Sequence, residues 1–376
     1  MKKSRFALAA LAVASILVAA CSDDNTSSTT TTAATDDSTM STEGPVDTTA
    51  SALAMDTNGD GKVQFGIAAA GPRDDGGYYQ ALVDKATQIS KDNGFEAPIV
   101  VDNIATENAA TELSNLAEQN VDAIFVGASE IADPLKDLVV KYPDIFWYCN
   151  CGAGYPSDPG LAQSQDDSSE ISYTAGYATG LLMKAKGTGT SAAFIGCCDL
   201  NFEKEAYLAY ELGLQAVDPS YTMTYIPTGN FPYDFDNTAG ATEALNGAIT
   251  NGAVAVYPYL GGAHEPLVKL ANEKGLIVMS AGSSKACART DVKYDIQVKF
   301  DGGDYLDTIL KEILAGTFNE GDTRTFHVGV DSEPGAEICK PTAEQTTAMA
   351  DVFAKIAAGD FAADFGAVKG KAYSGG

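Results

Sequence analysis

The chain has 376 residues, 45% of them hydrophobic, which is enough for a sizeable core and more than a single-core domain usually holds, so we expect two lobes. It carries 24 Lys and Arg against 51 Asp and Glu, a formal net charge of -27. A surface this acidic repels phosphate backbones and anionic lipids. It therefore excludes nucleic-acid binding and adhesion of the protein body to membranes.

The N-terminus has the layout of a secretory signal. Lys2, Lys3 and Arg5 precede the apolar run Phe6–Ala20, whose 15 residues are too few for a typical membrane span. The run ends in LVAAC, which resembles a bacterial lipobox with Cys21 as the lipid-bearing residue; an ordinary cleaved signal peptide is the alternative. We therefore predict a signal peptide over residues 1–20. We expect an extracytoplasmic protein held at the cell membrane only through a lipid anchor.

Residues 21–58 form the predicted anchor and tether. Up to residue 54 they are mostly Ser, Thr, Asp and Ala, which bury too little surface to offset the entropy of ordering, so this segment is expected to be disordered.

The segment DTNGDGKV, Asp56–Val63, opens like a calcium-binding loop. The twelfth position of such a loop should be a carboxylate, and here it is Ile67. We therefore interpret the segment as a linker, and the sequence predicts neither a metal nor a cofactor.

The body alternates apolar strand-like runs with amphipathic helical stretches. Near-continuous apolar strands separated by helices are typical of parallel sheets covered on both faces. The predicted fold class is α/β, with two doubly wound parallel-sheet lobes joined by a hinge. The strands are expected at 62–70, 97–103, 121–129 and 144–150, then at 191–198, 221–227, 253–260 and 276–282.

The polar stretch 151–170 is expected to be a loop between the lobes, and a strand at 295–300 to return to the first lobe. The predicted first lobe is 59–168 with about 293–322, and the second is 169–292 with about 323–335. Residues 336–376 are predicted to form a C-terminal helix and tail.

The stretch GPRDDGGYYQALVDKA, residues 71–86, follows the first strand and leads into a helix. Ligands of doubly wound sheets bind at the carboxyl ends of the strands, and two facing lobes form a cleft that closes by hinge motion. This stretch is therefore a candidate for one wall of a solute site.

The order Asp75, Gly76, Gly77, Tyr78, Tyr79, Gln80 resembles the Asp-x-Ser-Phe-Asn-Gln pattern of the basic membrane protein group of ABC-transporter substrate-binding lipoproteins. The similarity continues over about Lys62 to Gly359. It implies a two-lobed type I periplasmic-binding fold, a purine nucleoside as solute and an ABC permease as partner. Tyr78 lies where the family places the ring that stacks on the base.

The resemblance also implies that Lys299 contacts a ribose. The chain departs from the family where Ser280 and Gly282 stand in place of a Gly-Val-Asp motif whose aspartate holds the ribose, so the identity of the solute stays open.

Side chains near the predicted strand ends supply the other candidates. A flat ring binds well between aromatic faces, and polar groups read its edges. Asp75 either caps the following helix or contacts the solute, and Lys299 either contacts it or is a solvated charge. Core packing is the alternative for both Tyr257 and Tyr259; of the two, Tyr259 lies closer to the carboxyl end of its strand and is the better ligand candidate. The predicted ligand-binding residues are Asp75, Tyr78, Tyr79, Gln80, Ser129, Asn150, Asn201, Tyr259 and Lys299.

Six cysteines remain besides Cys21, and an even number in an exported protein indicates disulfides. They allow 15 pairings, so the sequence does not choose among them. Adjacent Cys197 and Cys198 are expected to pair elsewhere because a bond between neighbours strains the peptide. The disulfide candidates are Cys149, Cys151, Cys197, Cys198, Cys287 and Cys339.

These features predict a monomeric, non-catalytic solute receptor that feeds an ABC importer. A sugar receptor, or one that reports to a membrane sensor, is the alternative. An enzyme is disfavoured because the chain has two histidines, His264 and His327, and no nucleophile-elbow or phosphate-loop motif.

Overall fold

A computed structural model describes residues 55–152, 155–229 and 233–374. The predicted signal peptide, Cys21 and the tether up to residue 54 lie outside the described residues. All described residues fall within one compact unit, residues 47–376. No helix in the described ranges is long and apolar enough to cross a membrane.

The first lobe is built on a parallel sheet of six described strands. The strands are β1 Phe65–Ala69, β2 Ile99–Val101, β3 Ala123–Gly127, β4 Phe146–Asn150, β5 Leu161–Asp166 and β11 Thr323–Phe326. They pair in the order β11-β5-β4-β3-β1-β2. The helices are α1 Tyr78–Asn93, α2 Ala109–Ala117, α3 Leu135–Lys141 and α8 Gly302–Leu314. Side chains alternate between the faces of the sheet: Phe125 packs on one side with α1 and α8, and Ile124 and Val126 pack on the other with α2 and α3.

The second lobe has a parallel sheet of four described strands in the order β7-β6-β8-β9, beside an antiparallel pair, β10 and β12. The strands are β6 Ser191–Gly196, β7 Thr222–Pro227, β8 Ala253–Pro258, β9 Ile277–Val278, β10 Ile296–Lys299 and β12 Gly335–Ile338. The helices are α4 Ser168–Lys186, α5 Asn201–Val217, α6 Thr238–Thr250, α7 His264–Glu273, α9 Ala343–Ala357 and α10 Ala362–Tyr373. The prediction of two doubly wound α/β lobes is confirmed.

The structure differs from the predicted organisation at four places. The predicted loop 151–170 contains strand β5. Its composition is polar for a buried strand, because Gln163 and Ser164 are buried with their polar groups hydrogen-bonded. Strand β10 belongs to the second lobe, since Ile296 and Val298 pack in the second core and Met279 bridges to Ile296.

Strand β11 belongs to the first lobe instead of the second, because it pairs in register with β5 and stacks Phe326 on Tyr305 at 4.3 Å between ring centroids. Residues 336–376 hold β12, α9 and α10, so they are more than one helix and a tail. Both helices pack on the second core through residues such as Met349 and Phe365.

Three disulfides join Cys149 to Cys151, Cys197 to Cys198 and Cys287 to Cys339 in the described part of the chain. The expectation that adjacent Cys197 and Cys198 pair elsewhere is wrong. The chain leaves β6 there in a tight turn, in which the Glu203 carboxylate accepts hydrogen bonds from the backbone N–H groups of both cysteines, at 2.6 and 3.1 Å. This turn holds the two side chains next to each other.

The calcium-like segment forms a turn closed on itself. The Asp56 carboxylate accepts the backbone N–H groups of Asp60 and Gly61 at 3.0 and 2.8 Å, and Asp60 accepts that of Lys62 at 2.9 Å. These carboxylates stabilise the turn that leads into β1.

Helices α4 and α5 cross at two glycines. A Cβ at Gly213 would collide with the Tyr173 carbonyl, and one at Gly176 would collide with the Tyr210 carbonyl. We predict that Gly213→Ala destabilises the protein by about 1–3 kcal/mol, because the two backbones have to separate. Urea unfolding of the purified chain measures this change.

Gly247→Ala is the matched control for this variant. Gly247 lies in α6 with no atom within 4 Å of an added Cβ. Alanine there should leave stability unchanged or raise it by up to about 1 kcal/mol through its better helix propensity. Equal losses in the two variants would contradict the role of close packing at Gly213.

Asp166 ends β5 and accepts a hydrogen bond from the Tyr305 hydroxyl at 3.0 Å. Burial raises the pKa of Asp166 to about 7. At a pH between the pKa of Asp166 in the unfolded chain and its pKa in the folded protein, the folded state binds more protons than the unfolded state. The contribution of Asp166 to stability therefore falls as the pH rises through this range. Asp166→Asn lacks this titration. We expect the stability of the variant relative to the parent protein to increase as the pH rises from about 4 to 7, and to stay constant above that range.

Melting temperatures between pH 4 and 8, measured without added solute, test this expectation. The exposed Asp144→Asn variant is the control and should track the parent protein. A difference between Asp166→Asn and the parent that does not change with pH would contradict the assignment.

Candidate functional site

A cavity of about 490 Å³ lies between the lobes at the carboxyl ends of both sheets. Its wall in the first lobe comes from residues that end or follow β1, β3, β4 and β5. Its wall in the second lobe comes from the start of α5, the loop before α6, and the segment after β8. This is where doubly wound sheets bind ligands.

The lobes touch each other at the start of α1. A Cβ at Gly77 would lie 3.4 Å from the Ala281 carbonyl oxygen, and one at Gly76 would lie 3.0 Å from the Glu265 carboxylate of the second lobe. Gly76 has φ of 72°, in the left-handed region that favours glycine. The turn therefore brings first-lobe backbone directly against the second lobe.

Asp75 holds the first turn of α1. Its Oδ1 accepts the backbone N–H groups of Gly77 and Gln80 at 2.9 and 3.1 Å, and its Oδ2 accepts that of Tyr79 at 3.4 Å. Burial raises the pKa of Asp75, and the backbone hydrogen bonds oppose the rise. Asp75 also lines the cavity, so the helix-capping position and the cavity wall coincide.

Tyr78 is fixed by a chain of polar contacts from the neighbouring strands. Its hydroxyl donates to Asn150 Oδ1 at 2.6 Å, and Asn150 Nδ2 donates to Ser164 Oγ at 2.8 Å. The Tyr79 ring stands perpendicular to the Tyr78 ring, with centroids 5.3 Å apart, and its hydroxyl donates to Glu130 Oε1 at 3.3 Å. Two aromatic rings of the first lobe are thus held in place at the cavity.

The second lobe faces them with its own aromatic side chains. The Tyr259 ring lies 5.7 Å from that of Phe300, with an interplanar angle of 28°, and 6.4 Å from that of Phe202. Phe202 stacks in turn on Phe235 at 6.3 Å. Tyr257 is buried against Phe194 in the second core, so Tyr259 is the tyrosine at the cavity.

The structure brings six of the predicted ligand residues to this cavity and leaves three outside it. Those that line it are Asp75, Tyr78, Tyr79, Ser129, Asn150 and Tyr259. Gln80 turns its Oε1 back to the Gly76 N–H at 3.0 Å, and Asn201 is exposed at the start of α5.

Lys299 lies on the side of β10 away from the cavity. Its Nζ contacts Glu337 at 2.6 Å and donates to the Ser332 carbonyl at 3.0 Å. Because side chains alternate along a strand, its neighbour Phe300 reaches the cavity instead.

Several lining residues were not predicted. They are Glu130, Asp166, Asp234, Phe235, Asp236 and Phe300. Glu130 lies next to predicted Ser129 in the segment that follows β3. Its position after a strand could have predicted Glu130 as a lining residue, whereas no sequence pattern marks the lining residues of the loop at 233–236.

His264 lines the cavity but is committed to the fold. Its Nδ1 lies 2.7 Å from the Pro258 carbonyl oxygen and its Nε2 lies 3.3 Å from the Tyr294 hydroxyl. Burial lowers the pKa of His264 to about 4, so the ring is neutral at physiological pH.

One trio among the described residues has the composition of a metal site. Ligand atoms of Asp167, Glu170 and His327 lie within 4.8 Å of one another at the junction between the lobes. Lys369 of α10 already pairs with Asp167 at 2.5 Å, and His327 Nδ1 lies 3.1 Å from Glu170. The Lys369–Asp167 ion pair joins α10 to the junction, and the remaining two residues of the trio contact each other.

The fold is shared with solved solute-binding proteins at low sequence identity. An ABC transporter system solute-binding protein from Conexibacter woesei DSM 14684 has a TM-score of 0.59 and 19% identity, over 79% of this chain and 97% of its own. A solute-binding protein of the same kind from Aeropyrum pernix K1 has a TM-score of 0.61 and 15% identity, over 83% and 92%.

A transcriptional activator of the comK gene from Bacillus halodurans has a TM-score of 0.61 and 14% identity, over 78% of this chain and 96% of its own. The shared architecture therefore does not by itself decide function. No curated protein sequence matches the chain.

The sequence profile of a family described as ABC transporter substrate-binding protein PnrA-like matches residues 62–330. This match spans most of the chain, including both sheets and the cavity, and it confirms the family resemblance seen in the sequence. The chain belongs to the PnrA-like family of ABC transporter substrate-binding proteins.

Proposed function

We propose that the chain is an extracytoplasmic, lipid-anchored receptor that closes on a purine-nucleoside-like solute and presents it to a permease. One observation carries this proposal: aromatic rings of both lobes line one cavity of about 490 Å³ at the strand ends. A flat heterocycle between Tyr78 on one side and Tyr259 on the other would contact both lobes at once. Such a ligand favours the closed cleft because it gains contacts that the open cleft lacks.

The ribose of the solute must be bound by residues other than the aspartate that the family resemblance implies. Ser280 occupies that place and is buried, and its Oγ accepts the Val298 N–H at 2.9 Å. Carboxylates elsewhere on the wall, such as Glu130 and Asp236, offer acceptors for sugar hydroxyls.

Calorimetric titration of the purified chain with adenosine, guanosine and inosine tests the solute. We expect at least one nucleoside to bind, and Tyr78→Leu to weaken its affinity about 2- to 10-fold, the effect of one aromatic pair. Tyr78→Phe keeps the ring and loses only the hydroxyl bond to Asn150, so it should retain most of the affinity.

Sugars that bind while all nucleosides stay silent would contradict the nucleoside assignment and favour a sugar receptor. Equal affinities of the Leu and Phe variants would show that the Tyr78 ring does not contact the solute.

Lipid attachment at Cys21 is tested by metabolic labelling with an alkynyl fatty acid. We expect the protein to take up the label and to fractionate with membranes. Cys21→Ala should lose both properties because no thiol remains at the end of the apolar run, and Ser22→Ala should keep them. An unlabelled, released protein would indicate the ordinary signal peptide.

A further inference from the structure

Acidic side chains from both lobes line the cavity. There are six of them: Asp75, Glu107, Glu130, Asp166, Asp234 and Asp236. Among the described residues, no Lys or Arg lines it, and His264 is held neutral by burial. An anionic solute, such as a nucleotide or a carboxylate, would meet repulsion here with no compensating charge.

Basic side chains near the cleft are already paired with acids outside the cavity. The Arg289 guanidinium approaches the Gly76 turn but bonds to Glu265 at 2.9 Å and Asp291 at 2.5 Å. Arg73 pairs with Asp102 at 2.6 Å. Among the described residues, no basic side chain near the cleft is therefore left to neutralise the acidic groups of the cavity.

The carboxylates are divided between the lobes. Asp75 and Glu130 belong to the first lobe and Asp236 to the second, and the negative charge of Asp236 acts on Asp75 across the cleft. Closing the cleft brings these like charges together, which is unfavourable in a site with little water. A positive charge between them would remove that cost.

Glu130 offers the least satisfied of these groups. Its Oε1 accepts the Tyr79 hydroxyl, but its buried Oε2 has no hydrogen-bond partner among the described residues. Glu130 lines the cavity together with Tyr79 and Tyr233, and its negative charge adds to the rise that burial causes in the pKa of both tyrosines. A buried carboxylate oxygen without a donor is costly unless a ligand supplies one.

Aromatic faces next to carboxylates are a favourable setting for a cation. Lys, Arg or a ligand cation is attracted to the face of a Tyr or Phe ring within about 6 Å. Neutral sugar hydroxyls would satisfy carboxylate acceptors too, but they would leave the repulsion between the lobes in place.

We propose that the solute is a cation: an aromatic ring of nucleoside size or smaller that carries one positive charge, as an alkylated ring nitrogen or an ammonium group, with Glu130 as its main counter-ion. This inference rests on the proposed function in that it takes the interlobe cavity as the solute site. The cationic solute binds between the tyrosines and offsets the repulsion between Asp75 and Asp236 as the cleft closes.

Matched pairs of neutral and cationic probes test the charge. They are adenosine with 1-methyladenosine, nicotinamide with 1-methylnicotinamide, and 2-(4-hydroxyphenyl)ethanol with tyramine, titrated into the full chain at pH 7.5 by calorimetry. We expect at least one cation to bind about 10-fold or more tightly than its neutral partner, the factor that about 1.4 kcal/mol gives. That advantage should shrink between 50 and 500 mM NaCl because salt screens the interaction.

The outcomes separate the charge from the nucleoside assignment. If 1-methylnicotinamide or tyramine binds and no nucleoside does, the nucleoside assignment is wrong and the proposal of a cationic solute is supported. If adenosine binds more tightly than 1-methyladenosine and no other cation binds more tightly than its neutral partner, the proposal of a cationic solute is wrong and the nucleoside assignment is supported. The proposal of a cationic solute is also wrong if none of the three cations binds.

Glu130→Gln tests the counter-ion without removing the Tyr79 contact, because the glutamine oxygen still accepts from the hydroxyl. We expect affinity for the bound cation to fall about 10-fold or more, and affinity for the neutral partner to change little. Glu243→Gln on the exposed side of α6 is the control and should match the parent. Equal losses for cation and neutral probe in Glu130→Gln, with an unchanged melting temperature, would overturn the counter-ion role.

Discussion

Parallel strand pairing is the constraint on which the rest of this structure depends. Because neighbouring strands of each main sheet run in the same direction, their carboxyl ends collect at one edge of each lobe. The two edges face one cavity, so residues as distant in sequence as Tyr78, Asn150 and Tyr259 meet there. The helices that parallel connections require cover both faces of the sheets and leave that edge open.

Strand ends at this edge are also held rigidly. Cys149 and Cys151 are joined on either side of Asn150, which orients the Tyr78 hydroxyl, and Cys197 is joined to Cys198 directly after β6. Motion between the lobes is therefore expected in the segments that cross between them and not in the walls. The pair formed by Lys369 and Asp167 ties the last helix, α10, to one of these crossings.

The sequence predicted what short-range pattern encodes. Apolar runs located the central strands, and position at or after a strand end was enough to predict that Asp75, Tyr78 and Asn150 line the cavity. Features that depend on long-range pairing were missed: β5 reads as a polar loop because the partners of Gln163 and Ser164 become visible only after folding. Lys299 was misplaced for a similar reason, since the face of a strand that a residue occupies depends on a register fixed by β12.

The charge of the cavity extends a property of the whole chain, whose formal net charge is -27. A negative protein field concentrates cations near the surface and depletes anions, so discrimination by charge begins before a solute enters the cleft. Inside the cleft, like charges on the two lobes oppose closure, and a compensating group would offset that repulsion. A ligand shifts a conformational equilibrium only by its difference in affinity for the two states. A cation between Asp75 and Asp236 has such a difference, because it experiences both carboxylates together only when the cleft is closed. Charge recognition and cleft closure would then be one event, and a permease that contacts both lobes would receive the protein in the closed state only when a cation fills it.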